Sequence, residues 1–211
     1  MEKISVRTVK PAAPSLGKAD WIRIALEGLI NDGIDAVQVT KLAKGLKVSR
    51  GSFYWHFSDR KDLLVTVLDE WRAANLPVIE CVLKEAATLS EGVLSIFAIW
   101  EEHRQFNPKL DQAVRDWARL DDDVLETVRE EDGRRIEAIA LFFARFGFGE
   151  SEAMVRARVL YFAQVGYYAM NVDDSLRDRL AMLEDYFLSF TGKVLDENAA
   201  TDFRQRMGVA T

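Results

Sequence analysis

The chain is predicted to be all-α, with an N-terminal three-helix helix-turn-helix domain and a larger helical domain for ligand binding and dimerisation. Three observations lead there. Apolar residues recur at i, i+3, i+4 and i+7 almost throughout, and no strict alternation or hairpin signal suggests a strand. Residues 42–57, LAKGLKVSRGSFYWHF, hold two short helical patterns separated by a break at Lys47-Val48-Ser49. Near the C-terminus two longer patterns carry apolar seams spaced 4, 3, 4, 3, as helix pairs in bundles do.

Composition sets the limits. The 211 residues are 49% hydrophobic, enough for a substantial core in one large domain or two smaller ones. No uncharged apolar run reaches 18 residues, and the N-terminus lacks the apolar stretch of a secretory signal. The single cysteine, Cys81, is expected to be buried on a helix, and the chain reads as cytoplasmic. The net charge of −6 is unevenly spread. Residues 1–64 carry 11 Lys/Arg against 7 Asp/Glu, a net +4, which leaves 17 basic and 27 acidic residues, a net −10, for the remainder. A basic head on an acidic body suits a protein that holds nucleic acid at one end only.

In chain order, residues 1–17 contain Pro11, Pro14, Lys3, Arg7 and Lys10 without helical periodicity and are expected to form a mobile arm. A first helix over residues 18–31 places Ile22, Ala25, Leu26 and Leu29 on one face, and Asn31-Asp32-Gly33 ends it. A second short helix runs over residues 39–46. Ser49 is a suitable N-cap for the third, in which Phe53 and Phe57 share a buried face with Val48. The opposite arc presents Arg50, Ser52, Tyr54, Trp55 and His56, donors and flat rings rather than the mixed Glu/Lys of a solvated face. Such an arc on the second of two short helices is what a major groove accepts. Trp55 and His56 could alternatively be partly buried aromatics.

These residues carry a resemblance. The run Gly51-Ser52-Phe53-Tyr54, then His56-Phe57 and Leu63-Leu64, within SRGSFYWHFSDRKDLL, resembles the DNA-binding domain of TetR-family transcription regulators over residues 18–66. Two positions depart from the family pattern. Lys47 stands where the family usually has a turn glycine, and Gln38 where it usually has threonine. Glycine suits positive φ far better than lysine, so a different turn geometry is expected at Lys47. The resemblance implies a double-stranded DNA operator as partner, and places Arg60 where a phosphate-contacting lysine follows the His-Phe pair. Arg50 is suited to a guanine, worth roughly 1–3 kcal/mol of discrimination. Ser52 and Trp55 are suited to base edges, and Thr40, Lys47, Ser49, Gly51, Tyr54, His56, Arg60 and Lys61 to the backbone.

Ser58-Asp59 cap a connecting helix that runs from Arg60 into the mid-70s, where Pro77 kinks it or starts another. Helices follow over residues 78–89, 91–106 and 108–120. Asp121-Asp122-Asp123 begins a long helix that Gly147 and Gly149 end near residue 146. In residues 151–170 the seam is Val155, Val159, Phe162, Gly166 and Ala169. In residues 175–191 it is Leu176, Leu180, Leu183, Phe187 and Phe190. The spacing leaves open whether these seams meet their own core or a second subunit. The resemblance implies a homodimer. Residues 192–211 read as a frayed polar tail.

The body is rich in bulky aromatics, and the resemblance implies a small, largely apolar effector among them. Trp71, Phe97, Trp100, His103, Trp117, Phe143 and Tyr161 are the candidate lining residues. His103 with Glu102 and Asp111 matches no standard metal spacing. Two histidines, one thiol and the lack of HExxH, phosphate-loop or nucleophile-elbow motifs argue against an enzyme, and no cofactor is expected. A helical interaction module would leave the basic head unexplained. The expectation is therefore a ligand-responsive regulator, more a repressor than an activator, on a palindromic operator.

Overall fold

A computed structural model describes residues 16–74, 76–102 and 106–209, and all its described regular structure is helical. The chain divides into two compact units, one up to Thr66 and one from Val67 onward. The expected mobile arm lies almost wholly outside the described residues.

In the first unit, α1 spans Lys18–Asp32. The Gly17 amide donates to the Asp20 carboxylate at 2.9 Å, which holds the start of the helix. Its inward stripe is Trp21, Ala25 and Leu29, and the predicted Ile22 and Leu26 are only half-buried. The stripe turns toward Trp21 because the indole packs edge-on against Phe53, 5.2 Å between centroids. Gly33, at φ 76°, closes α1 and leads through a 3-10 turn at Ile34–Ala36 into α2, Val39–Gly45. The third helix, α3, is a single turn, Arg50–Phe53. Phe53 and Phe57 stack at 5.3 Å and are both buried, as the spacing predicts. The connecting helix α4, Arg60–Ala73, begins with Asp59 accepting the Asp62 amide and Asp62 accepting the Ser58 amide, each at 2.9 Å.

The second unit is built from α5 (Leu76–Glu85), α6 (Leu89–Glu102), α7 (Pro108–Ala118), α8 (Asp122–Arg145), α9 (Glu150–Ala169), α10 (Leu176–Ala181), α11 (Leu183–Thr191) and α12 (Glu197–Arg206). Polar caps mark the starts: Asn107 accepts two amides of α7 at 3.1 Å, Asp121 two of α8, and Asp196 two of α12. α8 and α9 form the central pair, with α5, α6 and α7 packed on α8. Ile96, Ile139, Phe143, Ala157, Leu160 and Phe187 fill the space between them. Gly92 lets α6 approach α8 closely, since a Cβ there would lie 2.2 Å from the Phe142 ring.

Three expectations fail here. The single helix predicted over residues 175–191 is broken at Met182 into α10 and α11. The tail is not frayed: α12 packs Ala200 and Phe203 into the core, with Leu195 buried just before it, and Arg204 donates to Glu184 at 2.6 Å and to the Leu180 carbonyl at 2.9 Å. Its apolar residues are too widely spaced among polar ones to stand out in the sequence. Cys81 is exposed rather than buried, because α5 turns Ile79 and Leu83 inward instead. Among the described residues, no helix is long and apolar enough to cross a membrane.

Candidate nucleic-acid interface and ligand cavity

The α2–α3 connection sets the first candidate site. Lys47 adopts φ +57° itself, so the turn keeps the left-handed geometry that glycine usually supplies. The Lys47 amide donates to Lys44 O at 3.1 Å and the Val48 amide to Ala43 O at 3.0 Å, so this bend closes α2 without a glycine. Ser49 holds the N-cap position of α3 in extended conformation, but its hydroxyl makes no capping bond, contrary to expectation.

Burial of Phe53 forces the other side of α3 outward. Arg50 and Gly51 are exposed, Tyr54 is 62% and Trp55 86% exposed, and Ser52 is half-buried. An indole this exposed is not core packing, which decides the alternative for Trp55. Thr40, Lys47, Ser49 and Lys61 also face solvent. Lys44, Lys47, Arg50 and Lys61 have no ion-pair partner among the described residues, whereas Arg23 on α1 pairs with Asp20 and Glu27. The first unit thus leaves its cations free around α3 and neutralises at least one away from it.

Two expected backbone-contacting residues are already committed. Arg60 donates from Nε to Val37 O at 2.5 Å and from Nη2 to Ile34 O at 3.1 Å. It braces the turn before α2 with two of its three nitrogens. His56 is half-buried and donates from Nε2 to Leu16 O at 3.2 Å, tying the chain entering α1 to the end of the α3 region.

The second candidate site is a cavity of about 350 Å³ among α6, α9, α10, α11 and α12. Phe97, Trp100, Tyr167, Tyr186, Phe190 and Phe203 supply rings to its wall. Glu101 forms an ion pair with Arg179, whose guanidinium lies 4.0 Å from the Tyr167 ring centroid. The buried Nε2 of Gln164, in the same wall, has no hydrogen-bond partner among the described residues.

Of the predicted lining residues, Phe97 and Trp100 face this cavity. Tyr161, again with Trp100, lines an adjoining gap of only about 20 Å³. Trp71, Trp117 and Phe143 are packing residues, and His103 lies outside the described residues. Trp71 is held by a bond from Nε1 to Asp111 Oδ1 at 3.0 Å and by the Arg135 guanidinium 4.7 Å above its ring. Tyr161 belongs to a buried polar network. Arg115 grips both Asp132 oxygens at 2.8 Å, Tyr161 donates to Asp132 at 2.7 Å, and Arg135 donates to the Tyr161 oxygen at 3.0 Å. Burial pushes the Tyr161 hydroxyl well above the ordinary tyrosine value, against the pull of Arg135. Sequence reasoning missed Tyr167, Arg179, Tyr186 and Phe203, although Tyr186 and Phe190 stand four apart, because it assigned that helix to subunit contact and set the tail aside.

The seams separate. On α9, Val155, Val159 and Phe162 are 54%, 47% and 57% exposed, and Gly166 opens to free space. Leu180, Leu183 and Phe187 are buried in their own unit and Leu176 partly so, which corrects their assignment to a subunit interface. They are inward because α10 and α11 close one side of the cavity and core.

Residues 22–67 match the family described as bacterial regulatory proteins, tetR family. No curated protein matches the chain. Among solved structures, the superantigen PfiT is similar over 88% of this chain and 100% of its own, at 18% identity and TM-score 0.62. AmtR of Mycobacterium smegmatis is similar over 95% and 99%, at 15% identity and TM-score 0.60. FadR of Bacillus subtilis, solved with stearoyl-CoA, is similar over 85% and 100%, at 16% identity and TM-score 0.52. These likenesses establish a shared fold that reaches well beyond the helix-turn-helix. The N-terminal unit is thus a tetR-family helix-turn-helix domain, and the chain has the fold of the tetR-type transcription regulators.

Proposed function

We propose that this protein is a dimeric, ligand-responsive repressor that binds a palindromic operator and is released by a small effector. The observation that carries the reading is the outer face of α3. Arg50, Tyr54 and Trp55 are exposed there together, and Lys44, Lys47, Arg50 and Lys61 keep their charges unpaired. In this reading Arg50 reads a guanine edge, Ser52 and Trp55 touch neighbouring bases, and Thr40, Lys47, Ser49, Gly51, Tyr54 and Lys61 take phosphates. Arg60 and His56 position the motif rather than contact the operator. One turn of helix offers few contacts, so two heads on half-sites about 34–36 Å apart, or a multiple of that, supply the affinity.

The exposed α9 face supports dimerisation through Val155, Val159, Phe162 and Gly166, and the 350 Å³ cavity supports the effector. FadR, of similar fold, holds stearoyl-CoA. An effector that weakens operator binding is itself bound less tightly by the DNA-bound form, by the same factor. Fluorescence anisotropy on DNA from upstream of the gene, across a salt series, tests the head. The reading expects a steep salt slope, a two-fold footprint, and relaxed specificity at one base position for Arg50→Ala. Failure to enrich any sequence from a random pool would overturn it.

A further inference from the structure

The cavity is not closed by its own chain. Phe162, Met170 and Tyr186 help to line it, yet all three remain exposed. Its open side therefore adjoins the face that α9 turns outward. From position 159 to 169 α9 carries no charged side chain, and a continuous exposed apolar face of this kind marks an interaction surface.

That face complements itself. Phe162 stands out from the helix, and one turn further on Gly166 leaves a gap, where an added Cβ would meet no heavy atom within 4 Å. An isologous contact pairs residue i with j and j with i. Two antiparallel α9 helices related by a two-fold axis near position 164 set Phe162 of each copy over Gly166 of the other, and Val159 over Ala169. Gly166 is itself a wall residue of the cavity, so Phe162 of the second copy covers the opening.

The interior specifies the ligand. Rings and aliphatic chains supply most of the wall, and its charged residues, Glu101 and Arg179, are paired with each other. A charged ligand would have to compete with one of them and strand the other. The buried, unpartnered Gln164 Nε2 lacks an acceptor, which a carbonyl on the ligand would provide.

We propose that this cavity binds an uncharged, mostly apolar molecule bearing a hydrogen-bond acceptor, and that a second copy, seated α9 against α9, closes its open side. The inference rests on the effector-binding reading above. Ligand binding and self-association then strengthen one another by the same factor. Prodan, an uncharged fluorescent ketone, and anilinonaphthalene sulfonate, an anion of similar size, are the probes. The full-length protein binds prodan at least tenfold more tightly than the anion, with affinity rising as protein concentration carries the chain from monomer to dimer. Val155→Asp/Val159→Asp, altering exposed residues outside the cavity wall, stays monomeric, keeps its circular dichroism and melting, and binds prodan at least tenfold more weakly. Wild-type affinity in that monomer would overturn closure by a second copy while leaving an effector cavity in place. Preference for the anion, or no prodan binding by the wild type, would overturn the ligand class. Unchanged prodan binding by Ala163→Trp, which fills the cavity from its wall, would remove the cavity as the effector site altogether. DNA recognition is unaffected by any of these outcomes and is judged by the salt series alone.

Discussion

Replacing Lys47 by glycine separates two roles that one side chain holds at once. Lys47 sits at φ +57° in the bend between α2 and α3, where a side chain costs about 1–2 kcal/mol relative to the right-handed region. Glycine removes that strain but loses more freedom on folding, a penalty of about 0.4–1 kcal/mol. The Lys47 side chain is exposed and has no ion-pair partner among the described residues, so little else is lost. The net effect is a first unit more stable by about 1 kcal/mol, or roughly fivefold greater protection of α1 and α2 amides in native-state hydrogen exchange. Exchange is the suitable assay because the two compact units need not unfold together. The same variant loses one phosphate contact per head, so the slope of log affinity against log salt becomes shallower by about 2 for a dimer. Unchanged or reduced protection would refute the strain argument, and an unchanged salt slope would remove Lys47 from the DNA contacts.

Further outcomes follow from the second unit. Tyr161 keeps its proton in the folded state above the pH at which the unfolded chain loses it, about 10. Stability is therefore fully present below that pH and falls above it by about 1.4 kcal/mol per pH unit for this group. In denaturant titrations from pH 9 to 11, Tyr161→Phe should make the decline shallower by one proton, with the Tyr168 hydroxyl, raised by burial, still contributing; an unaltered slope would mean that Tyr161 is not the titrating group. Phe203→Ala removes a buried ring of α12 and should cost about 3–5 kcal/mol, read from tryptophan-detected urea unfolding. A loss under 1 kcal/mol would return residues 197–206 to the status of a dispensable tail. Gly92→Ala drives a methyl into the Phe142 ring and should cost about 1–3 kcal/mol in the same assay, whereas Gly133→Ala, with open space around it, should be neutral or stabilising.

The helix-turn-helix was legible in the sequence because its determinants are local. Phe53 and Phe57 define a buried side by spacing alone, and the side chains between them have nowhere to go but outward. Caps such as Asp121, Ser175 and Gly33 are likewise short-range, since they satisfy amides or allow a backbone angle within a few residues. The body was legible as helices but not as an arrangement. Leu180, Leu183 and Phe187 form as regular a seam as Val155, Val159 and Phe162, and periodicity says that both are faces without saying what either face meets. Tertiary packing decided it: α10 and α11 turn inward beside α12, whereas α9 has one side on α8 and the other unoccupied.

Long-range contacts also reassigned Arg60 and His56, whose partners Ile34, Val37 and Leu16 lie 23 to 40 residues away. The cavity was the least legible feature, because it is a gap left between five helices rather than a property of any one of them. Trp71, Trp117 and Phe143 resemble Phe97 and Trp100 in composition and helical context, and only the packing separates filling from lining. The sequence by itself determined the helices, the recognition face and the charge it keeps free, all within the reach of a few turns of chain. The tertiary structure alone decided which apolar faces are satisfied and which remain open, because burial depends on every other element that arrives.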